Sequence, residues 1–137
     1  SRAASAGPGC RGHTARVPWR RCQGGRCRRP FCSRHFREVG STAERAGFEA
    51  VAREVKLTRF GMDCYAYALL AAGQIDLVIE AGLQPYDVQA PIAVIEAAGG
   101  IVTDWQGRPA HGGGRVLAAA APEQHAAALE ILSKVEG

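Results

Sequence analysis

The first 37 residues of this 137-residue chain contain no Asp, Glu or Lys and no Leu, Ile, Met or Tyr. With Val17 as their largest aliphatic side chain, residues 1–37 cannot bury enough apolar surface to form a packed core. The chain also lacks a run of about 18 apolar residues, which excludes a membrane span. Residues 1–12 lack the apolar segment of a secretory signal. We therefore expect a cytoplasmic protein with no membrane partner.

Several catalytic motifs are missing as well. The Gly112-Gly113-Gly114 run is not followed by the Lys-Ser/Thr pair of a phosphate-binding P-loop. No Ser or Cys stands beside a His in the arrangement that nucleophilic catalysis uses. Cys64, the one cysteine after residue 37, is expected to be a small buried hydrophobe. We accordingly assign no catalytic residue.

The chain has a net charge of +4, and its charged residues are distributed unevenly along the sequence. Residues 1–37, called the basic segment below, contain ten Arg and carry +10. Residues 38–137 contain seven Lys or Arg against thirteen Asp or Glu and carry −6. This contrast predicts an irregular or non-native segment at 1–37 followed by one α/β domain at 38–137.

Three hypotheses fit the basic segment. One is nucleic-acid binding, since arginines neutralise phosphates and aromatic rings stack on bases; the residues concerned are Arg20, Arg21, Arg26, Arg28, Arg29, Trp19 and Phe31. The second is a zinc site, although its ligand spacing departs from the usual patterns; its ligands would be Cys22, Cys27, Cys32 and His35. The third is GC-rich DNA read out of frame, which would supply this composition. We favour the third and do not expect a nucleic-acid partner.

Local signals in residues 38–137 predict the element order α-β-α-β-α-β-β-α. Ser41 and Glu44 form a capping-box pattern that begins a helix over 42–55. Hydrophobic periodicity and glycine or proline boundaries predict the other elements: strands at 56–60, 75–80, 101–103 and 115–120, and helices at 62–72, from 87 to 98 and from 122. This alternation is typical of an α/β layered domain with a mostly parallel sheet.

Three carboxylates fall where such folds bind ligands, beyond strand ends and at helix starts. They are Asp63, Glu80 and Asp87. Carboxylates suit Mg²⁺, and helix N-termini suit phosphate, so the pattern indicates a magnesium site for a phosphorylated small molecule. Structural explanations remain open: Asp87 as an N-cap, Asp63 as a complement to the helix dipole, and Glu80 as a solvated strand end.

Longer strings of residues carry a family resemblance. The segments Tyr86–Ala90 and Glu96–Asp104 together resemble the C-terminal signature of inositol monophosphatase-like phosphatases. Upstream, Arg59–Tyr67 and Glu80–Asp87 are similar to the histidinol-phosphate phosphatase branch. The resemblance covers residues 38–133 and implies the sugar-phosphatase fold.

This resemblance implies a Mg²⁺-dependent phosphomonoesterase of a small phosphorylated metabolite, with histidinol phosphate favoured and inositol or sugar phosphates as alternatives. On the family pattern, Asp87 would be a metal ligand, and Glu80 and Asp63 would bind the non-phosphate part of the substrate. Carboxylates facing a cationic amine suit histidinol phosphate, which is a feature inositol phosphate does not require.

The chain also departs from the family pattern. The Glu-Glu and Asp-Pro-x-Asp-Gly-Thr/Ser motifs that supply the other metal ligands do not occur. We therefore expect a C-terminal half that is inactive alone and that pairs with a missing N-terminal half or a second copy. Pro91 is a smaller departure, and with a helix starting at Asp87 it would lie in the first turn, where proline is tolerated.

Overall fold

Helices and strands alternate along most of the chain. The computed structural model describes residues 41–135 in full and the backbone of residues 31–35. The elements are β1 (Phe31–His35), α1 (Thr42–Glu54), β2 (Leu57–Phe60), α2 (Cys64–Ala71), β3 (Leu77–Leu83), α3 (Pro85–Ala97), β4 (Ile101–Thr103), β5 (Gly114–Ala119) and α4 (Pro122–Leu132). From α1 onward this is the predicted order. No helix within these residues is long and apolar enough to cross a membrane.

Strand β1 lies inside the segment that was expected to be irregular. Its five residues pair in parallel with β2 on one side and with β3 on the other. The expectation of irregular structure is therefore wrong for residues 31–35, because strand pairing on both sides supplies backbone hydrogen bonds that composition alone does not reveal. The remainder of the basic segment lies outside the described residues.

The five strands form one sheet in the order β2-β1-β3-β5-β4. Strand β5 lies between β3 and β4 and runs antiparallel to both. The sheet is thus mixed, and the predicted mostly parallel sheet is not confirmed. The cause is the connection from β4 to β5, which contains no helix and returns the chain antiparallel, whereas parallel neighbours need a longer crossover.

Side chains of the central strands alternate between two apolar cores. Val78 and Val116 belong to the core beneath α2 and α3. Leu77 and Leu117 belong to the core beneath α1 and α4. Since successive strand residues point to opposite faces, Glu80 shares the face of Val78 and is directed toward α2 and α3. The alternation of side chains along β3 therefore places Glu80 on the side of the sheet that α2 and α3 cover.

Helix α1 begins with the predicted capping box. Glu44 N–H donates to Ser41 Oγ at 3.2 Å, and Ser41 N–H donates to Glu44 Oε2 at 2.8 Å. The second oxygen of Glu44 accepts from Arg115 Nε on β5 at 2.7 Å. Burial works to raise the pKa of Glu44, but the hydrogen bonds from Arg115 and Ser41 outweigh it and lower the pKa. The cap thus also joins α1 to the sheet.

Replacing Ser41 by Ala removes the acceptor for the Glu44 N–H. We expect Ser41→Ala to lower the free energy of unfolding by about 1 kcal/mol, measured by urea denaturation followed by circular dichroism. Ser133→Ala is the matched control, because Ser133 is exposed at the end of α4 and its hydroxyl makes a long 3.5 Å contact with the Glu130 carbonyl. Equal losses in the two variants would contradict the role of the cap.

Candidate functional site

A pocket of about 580 Å³ lies where β3 ends and where α2 and α3 begin. Its lining includes Asp63, Glu80 and Asp87, so the structure brings the three carboxylates selected from the sequence to one place. They come from the loop before α2, from β3 and from the first turn of α3. The volume falls in the range that accommodates small metabolites.

Glu80 is the buried carboxylate of the pocket. Glu80 is 2 % exposed to solvent, and Tyr67 on α2 is 3 % exposed. Tyr67 Oη donates to Glu80 Oε2 at 2.5 Å. The expectation of a solvated strand end is therefore wrong for Glu80, because β3 continues to Leu83 and α2 covers this face.

The electrostatics of the pocket disfavour the charged form of Glu80. Burial raises the pKa of Glu80 most strongly, the Tyr67 hydrogen bond lowers it, and the nearby charges of Asp63 and Asp87 raise it further, to about 7. Burial and the Glu80 charge also raise the pKa of Tyr67, which keeps its phenol protonated as a donor. A positively charged ligand would reverse this balance, because it would stabilise the Glu80 carboxylate.

Asp87 lies in the first turn of α3 and is exposed. The helix begins at Pro85 rather than at Asp87, and Asp87 Oδ2 accepts from the N–H of Gln84 at 2.9 Å. Asp87 is therefore the third residue of the helix and not its N-cap. This hydrogen bond occupies Oδ2 and orients the side chain, and no described residue is shown donating to Oδ1.

The earlier helix start also changes the position of Pro91. Pro91 lies in the interior of α3, so its expected placement in the first turn is wrong. Because proline has no N–H, it cannot make the helical hydrogen bond to the carbonyl of Asp87. Both residues line the pocket.

Asp63 immediately precedes α2 in an unusual backbone conformation. Its φ of 48° and ψ of −144° make it the one non-glycine residue with positive φ within the described part of the chain. A conformation of this kind costs on the order of 1–3 kcal/mol. The neighbouring Cys64 is exposed and lines the pocket, so its expected burial is wrong.

Tyr67 is the site residue that sequence reasoning missed. It appears within an apolar helix and therefore reads as core. One signal could have identified it: a buried tyrosine hydroxyl needs a polar partner.

The lining residues do not complete a metal site. Among residues 41–135, no three His, Cys, Asp or Glu side chains are grouped so as to hold a metal ion. Asp87 can offer one carboxylate, and an ion held by one carboxylate takes its other ligands from water and substrate phosphate. The proposed zinc ligands Cys22 and Cys27 lie outside the described residues, and only the backbone is described for Cys32 and His35.

The raised pKa of Glu80 predicts a pH-dependent stability. A carboxyl group whose pKa is about 7 when folded and 4.5 ordinarily binds its proton more tightly in the folded chain, so unfolding becomes easier as pH rises between these values. Glu80→Gln removes this penalty. We expect it to raise the free energy of unfolding more at about pH 8 than at about pH 4, by on the order of 3 kcal/mol.

Urea denaturation of both proteins at the two pH values checks this expectation. Glu96→Gln is the matched control, because Glu96 is exposed on α3 and does not belong to the pocket lining. Its effect on the free energy of unfolding should be small, because the side chain is exposed. A Glu80→Gln effect that does not change with pH would contradict the raised pKa.

Known proteins resemble this chain over part of their length. The bifunctional phosphatase IMPL2, chloroplastic, of Arabidopsis thaliana is 58 % identical over 66 residues, which are 48 % of this chain and 19 % of that protein. A histidinol-phosphatase of Streptomyces coelicolor is 36 % identical over 72 residues, which are 53 % of this chain and 27 % of that protein. The chain thus spans well under half of the relatives it matches.

Solved structures extend the likeness to the fold. An inositol monophosphatase from Zymomonas mobilis superimposes with a TM-score of 0.73 and 32 % identity, covering 77 % of this chain and 43 % of that one. The sequence profile of the inositol monophosphatase family matches residues 4–136. The match begins well before residue 38, where the motifs predicted that the resemblance would start. This chain belongs to the inositol monophosphatase family.

Proposed function

We propose that this chain contributes the substrate-binding part of a Mg²⁺-dependent phosphomonoester hydrolase, with histidinol phosphate as the preferred substrate. In this proposal Glu80 and Asp63 bind the cationic amine of the substrate, and Asp87 is a metal ligand. The family relationship supports the reaction class, and the histidinol-phosphatase relative supports the choice of substrate.

The observation that carries the substrate choice is the charge of the pocket. Three carboxylates line it, and none of the described lining residues is Lys, Arg or His. A buried carboxylate with neighbouring negative charges is stabilised by a cation, which an amine supplies and a neutral polyol does not. The pocket therefore favours the amine end of a substrate over its phosphate end.

The phosphate end needs a separate binding group. Mg²⁺, when bound, supplies that attraction and activates water for hydrolysis. Asp87 would provide one oxygen for the ion, through the carboxylate oxygen that Gln84 leaves open. Residues 41–135 of one chain hold no group of three metal-binding side chains, so in this proposal a further polypeptide segment or a second copy supplies the other ligands.

Inositol phosphate or a related sugar phosphate is the second candidate substrate. The Zymomonas mobilis inositol monophosphatase, with its TM-score of 0.73, favours it. The two candidates differ in the group that faces Glu80, since histidinol phosphate carries a positive charge there and inositol carries hydroxyls.

Ligand binding by the unaltered 137-residue chain separates these candidates. We expect L-histidinol to bind at about pH 8 and myo-inositol not to bind, as measured by isothermal titration calorimetry. Glu80→Gln should weaken L-histidinol binding about tenfold, because a charge-assisted hydrogen bond is lost. Asp63→Asn should weaken it severalfold, since Asp63 is exposed and its charge is screened.

The Glu96→Gln variant is again the matched control and should bind L-histidinol normally. Binding of myo-inositol that is at least as tight as that of L-histidinol would favour the second candidate. L-histidinol binding that survives both Glu80→Gln and Asp63→Asn unchanged would contradict the assigned contacts.

Phosphate release tests the incomplete metal site. We expect the 137-residue chain with Mg²⁺ to release little or no phosphate from histidinol phosphate, because Asp87 alone holds the ion poorly. A colorimetric phosphate assay over a range of chain concentrations measures this. Mg²⁺-dependent turnover that Asp87→Asn abolishes would contradict the expectation and would indicate that the chain completes its own site.

A further inference from the structure

The Tyr67 phenol makes a direct hydrogen bond to the pocket carboxylate that the proposed function places against the substrate amine. We propose that Tyr67 is a positioning residue that sets substrate preference: its phenol fixes Oε2 of Glu80 and thereby presents Oε1 to the cationic group of the ligand. This inference rests on the proposed function, which it deepens by naming the group that orients the carboxylate.

Helix packing holds Tyr67 in place. Ala66, Leu70 and Ala71 on α2 belong to the same apolar core as Val78 on β3. Tyr67 is 3 % exposed within this core, so its ring cannot swing away from β3. Tyr67 Oη therefore meets Glu80 Oε2 from a fixed direction at 2.5 Å.

The hydrogen bond also divides the two oxygens of the carboxylate between two tasks. A phenol has one proton to donate, and it is used on Oε2. A carboxylate has a second oxygen with its own lone pairs, and an ammonium group needs such an acceptor. Because the terminal torsion of Glu is broad, the carboxylate without Tyr67 would lose the hydrogen bond that selects which oxygen faces the pocket.

Among the side chains that the structure describes, no second donor to the Glu80 carboxylate replaces this hydrogen bond. Asp63 and Asp87 are the acidic groups close enough to raise the Glu80 pKa, and both repel its carboxylate. On the neighbouring strand, the backbone of His35 is in register with Glu80. The phenol is thus the neutral donor that faces Glu80 from α2, and removing it removes a stabilising contact while the repulsion stays.

Tyr67→Phe in the 137-residue chain tests the proposal, because it deletes the hydroxyl and keeps the ring. Tyr65→Phe is the matched control: it is the same substitution on the same helix, at a side chain that is 62 % exposed. Two measurements are made on each variant. One is the pH titration of the Glu80 carboxyl carbon by ¹³C NMR without ligand, and the other is calorimetric titration with L-histidinol.

We expect Tyr67→Phe to move the Glu80 titration midpoint to higher pH, because the contact that favours the charged form is lost. It should also weaken L-histidinol binding about tenfold at about pH 8. In a Glu80→Gln background the Tyr67→Phe substitution should have little further effect on binding, since Tyr67 acts through the Glu80 carboxylate. Tyr65→Phe should change neither measurement.

The outcomes that contradict the positioning role of Tyr67 differ from those that contradict the proposed substrate. An unchanged Glu80 midpoint in Tyr67→Phe, or equal binding losses in the presence and absence of Glu80, would reduce Tyr67 to a packing residue. Failure of the unaltered chain to bind L-histidinol would instead contradict the proposed substrate, while the ligand-free titration would still decide whether Tyr67 controls Glu80. If Tyr67→Phe does not fold, the same contact is tested from the Tyr67 side by ¹³C NMR of tyrosine labelled at its hydroxyl-bearing carbon. The Tyr67 signal is compared between the unaltered chain and Glu80→Gln, and an unchanged signal would contradict the contact.

Discussion

Strand β3 is the element on which both the fold and the pocket depend. It pairs with β1 and β5, and its alternating side chains enter the two apolar cores on either side of the sheet. The same alternation directs Glu80 toward α2, into the core where Tyr67 lies. A one-residue slip of β3 would turn Glu80 to the opposite face, so the register that builds the cores also builds the pocket.

The helices and most strands of residues 41–135 could be predicted from the sequence because their signals are local. Ser41 and Glu44 predict a capping box at the start of α1, and this capping box is present. The three pocket carboxylates were also found in advance, since strand ends and helix starts gather at one edge of an α/β sheet. Their functional roles remain proposals.

The parts that could not be predicted depend on contacts between distant segments. Strand β1 has an arginine- and cysteine-containing sequence without apolar alternation, and it is recognised by its pairing with β2 and β3. The start of α3 at Pro85 moved Asp87 and Pro91 two positions deeper into the helix than expected. The burial of Glu80 depends on α2 lying across it, and its contact with Tyr67 joins residues 13 apart in the sequence.

The strained backbone of Asp63 sets conformational stability against ligand recognition. Positive φ is a conformation that glycine adopts without strain, so glycine would relieve the backbone strain at this position. Glycine would also delete a negative charge that acts on Glu80. With the proposed amine contact, a variant that carries glycine here would lose backbone strain and would also lose part of its preference for a cationic ligand. Such a trade-off between stability and function is common at binding sites.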